Sequence, residues 1–241
     1  MKQKIVVLTN GNYFARLILE KTFAQYSDSI AGVLIVTGDY KGRSGLASIM
    51  ELLKVTAWPY FFYKAFQIAL FILAGKVYAK ACFGVEQLAR IYQIPTCSCK
   101  SVKEEKAIEW IAACSPDLIV SVSCPQFIGK AIRSLARVGS INIHSSLLPA
   151  FAGLAPYFWV LSTGQTTTGT TVHYMTQRFD EGNILVQKQL TIEPGESAFH
   201  LFTRLAYLGN DALAEAIPLA LQGLPGRKQD LEKYGYFSSP T

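Results

Sequence analysis

The chain has few of the residues that build metal sites and disulfide frameworks. It contains three histidines and five cysteines in 241 residues. The cysteines, at 82, 97, 99, 114 and 124, form no Cys-x-x-Cys pair and have no histidine cluster nearby. That pattern excludes a zinc-ribbon or zinc-finger module and favours reduced, mostly buried thiols in a cytoplasmic protein. Cys97 and Cys99 can share a strand face, but two thiolates alone make a poor zinc site, so no metal is expected. Charge is also scarce, at 17% of residues against 50% apolar ones, which excludes a disordered chain. Internal repeats and low-complexity tracts are absent. The opening Met-Lys-Gln-Lys-Ile-Val-Val-Leu-Thr carries too short an apolar run for a signal peptide and suits a first buried strand.

No apolar run reaches the ~20 residues a spanning helix needs. The nearest approach lies between Lys64 and Lys76, inside a segment (57–77) rich in Tyr and Phe. Positive charge is concentrated in the same region: residues 41–80 hold six basic residues and one acid, Glu51. Three readings stay open for this apolar helical insertion, about 44–80: core or homodimer interface, peripheral membrane contact through 57–77, or a lid.

What the chain does have is concentrated between Ser140 and Ile184. Asn142 and His144 stand two apart in a short apolar strand ending at Leu147-Leu148-Pro149, so both side chains leave one face. The carboxyl end of a strand is where open α/β sheets carry chemistry. Asp180 follows a second strand, Thr168-Gly169-Thr170-Thr171-Val172-His173. An amide donor, a titratable imidazole and a carboxylate suit acyl transfer to an amine. Asn142 and protonated His144 would hold an oxyanion while Asp180 supports the imidazolium and helps the amine lose its proton. No serine or cysteine nucleophile is required. Taken alone, an Asn and a His at a strand end are better explained as loop-fixing hydrogen-bond donors.

The wider spelling resembles the folate-dependent formyltransferases. It comprises Asn142-Ile-His-Ser-Ser-Leu-Leu-Pro149, Gly153, Thr168-Gly-x-Thr-Val-His173 and Asp180-x-Gly-x-Ile184. The resemblance implies an α/β, Rossmann-like formyltransferase fold: a mostly parallel central sheet, helices on both faces and an antiparallel edge. It makes Asn142, His144 and Asp180 the catalytic residues and 10-formyltetrahydrofolate the formyl donor. It also places Gln126, Phe127 and Ile128 around the pteridine, under a closing loop, 176–180, that contains Gln177 and Arg178. A supporting role is expected for His173, and a structural one for His200.

Along the chain, strands are predicted at 5–8, 30–36, 96–99, 117–122, 169–175 and 184–192. Helices are predicted at 13–26, 46–55, 59–77, 83–92, 101–114, 156–162 and 196–221. Residues 1–222 form one catalytic domain, and 223–241 a tail with no core of its own.

The acceptor is expected to be a small-molecule primary amine, with a phosphate-bearing, nucleotide-linked amino sugar fitting the basic segment. Nucleic acid ranks lower: methionyl-tRNA formyltransferases add a C-terminal barrel and usually have Arg where this chain has Ala152. Phosphoribosylglycinamide formyltransferases have a Gly-Ser-Asn phosphate loop where this chain has Asn10-Gly11-Asn12. A formyltetrahydrofolate hydrolase and a non-catalytic membrane-surface protein on the same fold complete the alternatives.

Overall fold

A computed structural model describes residues 2–38, 84–238 and the isolated positions 62, 66 and 69. Phe62, Phe66 and Ala69 are helical and exposed. The rest of the predicted helices at 46–55 and 59–77 lies outside the described residues.

The chain begins β1 (Ile5–Thr9), α1 (Tyr13–Tyr26), β2 (Ile30–Val36), and continues with α2 (Val85–Ile91), β3 (Thr96–Cys99), α3 (Glu105–Cys114) and β4 (Leu118–Val122). Next come α4 (Lys130–Arg133), β5 (Gly139–His144), β6 (Ala152–Gly153), α5 (Pro156–Ser162), β7 (Thr167–Tyr174), β8 (Ile184–Thr191) and α6 (Ala198–Leu221). A 3-10 turn at Leu231–Lys233 and β9 (Tyr236–Phe237) close the described chain.

Seven strands form one sheet in the order β3-β2-β1-β4-β5-β7-β8. The first five pair in parallel, and β5-β7 and β7-β8 are antiparallel, which is the predicted α/β architecture with its antiparallel edge. Every residue of β1 and β4 is buried, because helices cover both faces of a parallel sheet. Alternation along the strands divides their side chains between two cores. Ile5, Val7, Leu118 and Val120 pack with residues of α1 and α6, while Val6, Leu8 and Ile119 pack with Ile111 of α3 and Ile132 of α4.

Local chemistry sets the helix starts. The Asn12 side chain accepts from Ala15 N–H and opens α1, and Ser197 accepts from His200 N–H and opens α6. The helix predicted from Ser101 starts at Glu105 instead, since the Glu104 carboxylate accepts from the N–H groups of Lys100 and Ser101 and holds residues 101–104 in a turn. Among the described residues no helix is long and apolar enough to cross a membrane.

The segment from 223, expected as a tail with no core of its own, lies along the molecule through residue 238. β9 pairs with β6, Arg227 exchanges two backbone hydrogen bonds with Ile184, and Tyr234 packs on Leu148, Ala152 and Ile184. Its lack of apolar periodicity hid this, because the contacts are mostly backbone pairings to partners more than forty residues away.

Candidate active site

A cavity of about 280 Å³ opens at the carboxyl ends of β4 and β5. Its floor is the strand face predicted to carry chemistry: Asn142 and His144 line it, and Asp180 joins them from the β7–β8 loop. His144 is 7% exposed. Its Nε2 lies 2.9 Å from the carbonyl oxygen of Phe151, and Nδ1 is 3.6 Å from Asp180 Oδ2. A carbonyl can only accept, so Nε2 carries a proton and Nδ1 is the nitrogen that faces the carboxylate.

His173 occupies the other side of Asp180. Antiparallel pairing sets it directly opposite Asn142, with Nε2 3.5 Å from Asp180 Oδ1 and 3.3 Å from Asn142 Nδ2. Its Nδ1 donates to Tyr174 O at 2.9 Å, so Nε2 is the nitrogen shared by the Asn142 amide and the Asp180 carboxylate: bare, it accepts from the amide and orients it, and carrying a proton, it donates to the carboxylate. The supporting role expected for His173 is consistent with this contact. His200 is exposed at the start of α6, 3.0 Å from Glu196.

One buried carboxylate therefore lies between two imidazoles. Burial pushes the Asp180 carboxyl up, but the neighbouring His144 and His173 rings and the Gly153 N–H, donating to Oδ2 at 2.9 Å, outweigh it and hold it well below the usual carboxylate range. Asp180 itself has a left-handed φ of 53°, as do Phe151 at 56°, Ala155 at 50° and Ser123 at 52°. Such a concentration of non-glycine left-handed residues around one cavity is typical of functional sites.

The threonine motif supports the strand end. Thr170 donates to His144 O at 3.1 Å and Thr171 to Ser146 O at 2.7 Å. Thr171 also accepts from Leu148 N–H and from Gln187. Gly169 is required by packing, because a Cβ there would lie 2.0 Å from Lys188 O.

Of the residues expected to hold the pteridine, Gln126, Phe127, Ile128 and Arg178 line the cavity. The Gln126 side chain bridges Val102 N–H and Lys100 O, which pins its loop and leaves the apolar Phe127 and Ile128 to face a ligand. Gln177 is exposed and is not among the lining residues. Phe127 and Phe179 meet edge to face, with centroids 4.9 Å apart, and form an aromatic rim. Sequence reasoning did not single out Met175, Tyr157 and Phe202, which also line the cavity. No motif marks them, since Phe202 reaches it from α6 through the fold alone. Ala152 is fully buried in β6, under Tyr234. Among the described residues no cluster of His, Cys, Asp or Glu has the makings of a metal site.

Comparison with known proteins points one way. A family model described as "Formyl transferase" matches residues 63–217. Methionyl-tRNA formyltransferase of Bacillus cytotoxicus is 38% identical over 146 residues, 60% of this chain and 46% of that protein. The chain thus spans about half the length of the curated relatives it matches. Glycinamide ribonucleotide transformylase 1 from Symbiobacterium toebii superposes with a TM-score of 0.65 at 18% identity, covering 94% of this chain and 93% of that one. The N-formyltransferase from Helicobacter canadensis, in complex with folinic acid and dTDP-3-aminofucose, gives 0.63 at 16% identity, covering 98% and 71%. At these identities the two structures establish the shared fold.

Proposed function

Because the chain belongs to the formyl transferase family, we propose that it transfers a formyl group from 10-formyltetrahydrofolate to a primary amine, with Asn142, His144 and Asp180 as its catalytic residues. The observation that carries this reading is the buried carboxylate between two imidazoles, beside a primary amide, on the floor of a cavity with an aromatic rim.

The cavity fits a folate. Phe127, Ile128, Met175 and Phe179 offer apolar and aromatic faces to a flat heterocycle, and Asn142, His144 and Asp180 converge at the floor. The donor supplies an electrophilic formyl carbon whose oxygen becomes anionic on attack. Asn142 engages His173 through one N–H and retains a second for that oxyanion. An alkylammonium has a reference pKa of about 10.4, so the acceptor must be deprotonated before it attacks. Asp180 and His144 Nδ1 form the proton relay. The new C–N bond forms as the bond to the folate nitrogen breaks, and the proton lost by the amine ends on that folate nitrogen.

The acceptor has two readings. The first is a small amine such as a nucleotide-linked amino sugar, supported by the Helicobacter canadensis neighbour and its bound sugar nucleotide. The second is a methionyl-tRNA, supported by the 38% identity to the Bacillus cytotoxicus protein.

The test is tetrahydrofolate release from 10-formyltetrahydrofolate in the presence of amino-sugar nucleotides, glycinamide ribonucleotide or charged initiator tRNA, with Asn142→Ala and Asp180→Ala alongside. Turnover with one acceptor, lost in both variants, supports the reading and identifies the acceptor class. Release without any amine indicates a hydrolase, and absence of folate binding rejects the enzyme.

A further inference from the structure

We propose that the segment 224–238 positions the catalytic aspartate, with Gln229 as the residue through which it acts. The proposal rests on the role assigned to Asp180 above.

Asp180 is a non-glycine residue at φ 53°, a conformation that persists only where its surroundings hold it. The hold comes from Gln229. Its Nε2 donates to Asp180 O and to Gly182 O, each at 2.7 Å, so one amide group bridges two carbonyls on either side of Glu181 and locks the turn between them. The amide orientation is settled by its partners: reversed, it would press Oε1 against two carbonyl oxygens. Among the described residues its Oε1 is buried without a hydrogen-bond partner. A buried acceptor left unsatisfied in this way shows that the two donor contacts dictate where the side chain lies.

The same segment also grips the other end of the aspartate. Gly153 N–H donates to Asp180 Oδ2, and Gly153 is the residue on which β9 lies. A Cβ on Gly153 would be 2.3 Å from Phe237 O, and Leu154 N–H donates to that same oxygen at 2.8 Å. Between these two grips, the Tyr234 hydroxyl donates to Phe179 O at 3.0 Å. The backbone of Asp180 is thus held by Gln229, its neighbour by Tyr234, and the donor to its carboxylate by β9. The imidazoles lie 3.5 and 3.6 Å from the carboxylate, so a small displacement of the loop would loosen both pairings.

The test uses the ring nitrogen signals of the three histidines of the chain. His144 and His173 flank Asp180, while His200 at the start of α6 is the internal control. Gln229→Met keeps the side-chain length and removes the donors, and Gln229→Glu keeps the shape but opposes oxygen to the two carbonyls. Tyr234→Phe removes only the hydroxyl and serves if either Gln229 variant fails to fold. The expected result is displaced His144 and His173 signals in all three variants, the least in Tyr234→Phe, with His200 unmoved. Formyl transfer should fall about tenfold in kcat in Gln229→Met and further in Gln229→Glu, with folate affinity changed less than about threefold. In an Asp180→Asn background, Gln229→Met should cost less than about twofold, since the two residues act as a unit. Unmoved His144 and His173 signals in folded variants would overturn the proposal, as would an equal loss with and without Asp180. Displaced signals in a protein that transfers no formyl group would uphold the positioning and reject the reaction.

Discussion

The parallel strands β1 and β4 bury every side chain, whereas β8 on the antiparallel side buries only Ile184 and Val186. The first half of the sheet is a scaffold, read in sequence as continuous apolar runs. The second half carries polar residues inward: Thr168, Thr170, Thr171 and His173 of β7 are all buried. The candidate site lies on β5, the strand where the two halves meet, with Ser121 of β4 as the parallel neighbour of Asn142 and His173 of β7 as its antiparallel one. A parallel neighbour supplies support, whereas the antiparallel one brings a second imidazole and, through its following loop, the carboxylate. The difference teaches that chemistry collects where the sheet changes direction, because there the strand carrying Asn142 and His144 pairs edge to edge with a strand of buried polar residues.

The sharpest way to break this comparison is to set two substitutions at the site against one in the scaffold. Asp180→Ala should lower formyl transfer about 10³-fold and Asn142→Ala about 10²-fold while leaving the protein folded, as steady-state kinetics and thermal melting would reveal. Ile119→Ala, fully buried in β4, should do the opposite. It is expected to cost about 2–5 kcal/mol in urea unfolding and to leave the kcat of the folded fraction unchanged. Comparable effects of the two kinds of substitution on both measurements would erase the distinction between the halves.

A smaller effect is expected at the contact that joins the halves. His173→Gln should reduce kcat about tenfold, the size of one lost buried hydrogen bond, since the Asn142 amide loses its fixed orientation. Equal activity in that variant would show that the amide is oriented by something else.

Much of this site was legible in the sequence. Asn142 and His144, two apart before Leu-Leu-Pro, had to share a strand face, and the Thr-Gly-Thr-Thr-Val-His and Asp-Glu-Gly spellings marked their partners. The strand at 30–36 followed from an apolar run bounded by polar turns, and the short strand at 96–99 from its place just after the Gln93-Ile94-Pro95 helix stop. Less legible were features set by distant backbone contacts. Nothing local in Gly-Arg-Lys-Gln-Asp says that Gln229 reaches back to carbonyls at 180 and 182, or that Tyr236-Phe237 pairs with Ala152-Gly153. Gln177 illustrates the converse. Its place in the closing loop suggested a cavity contact, yet the order of residues in an irregular loop does not say which of them line the cavity, and its neighbours Arg178 and Phe179 do while Gln177 does not.

Two finer measurements sharpen the comparison. The Asp180 carboxyl is held below its ordinary value in the folded protein, so its stabilisation is present above the unfolded pKa of about 3.9 and is lost as pH falls below that toward the folded value. The stability advantage of wild type over Asp180→Asn, from urea unfolding, should therefore be full at pH 5.5 and shrink progressively below pH ~4. A constant advantage across that range would mean the carboxylate is not ion-paired. The least change is expected at Cys124, which lines the cavity but whose thiol burial pushes up to about 12. Iodoacetamide at pH 8 should leave it unmodified in the folded protein, with no effect on activity, whereas rapid labelling would place a reactive thiol in the site.

The central claim is that Asp180 does proton work and is not needed to hold the folate. Its most direct test compares wild type with Asp180→Asn in a single experiment, measuring the dissociation constant for folinic acid and the single-turnover rate of formyl transfer on the same preparations. The expected result is a dissociation constant unchanged within about threefold and a rate lower by about 10³. A rate that survives the substitution, or one lost only in proportion to lost folate binding, would contradict it.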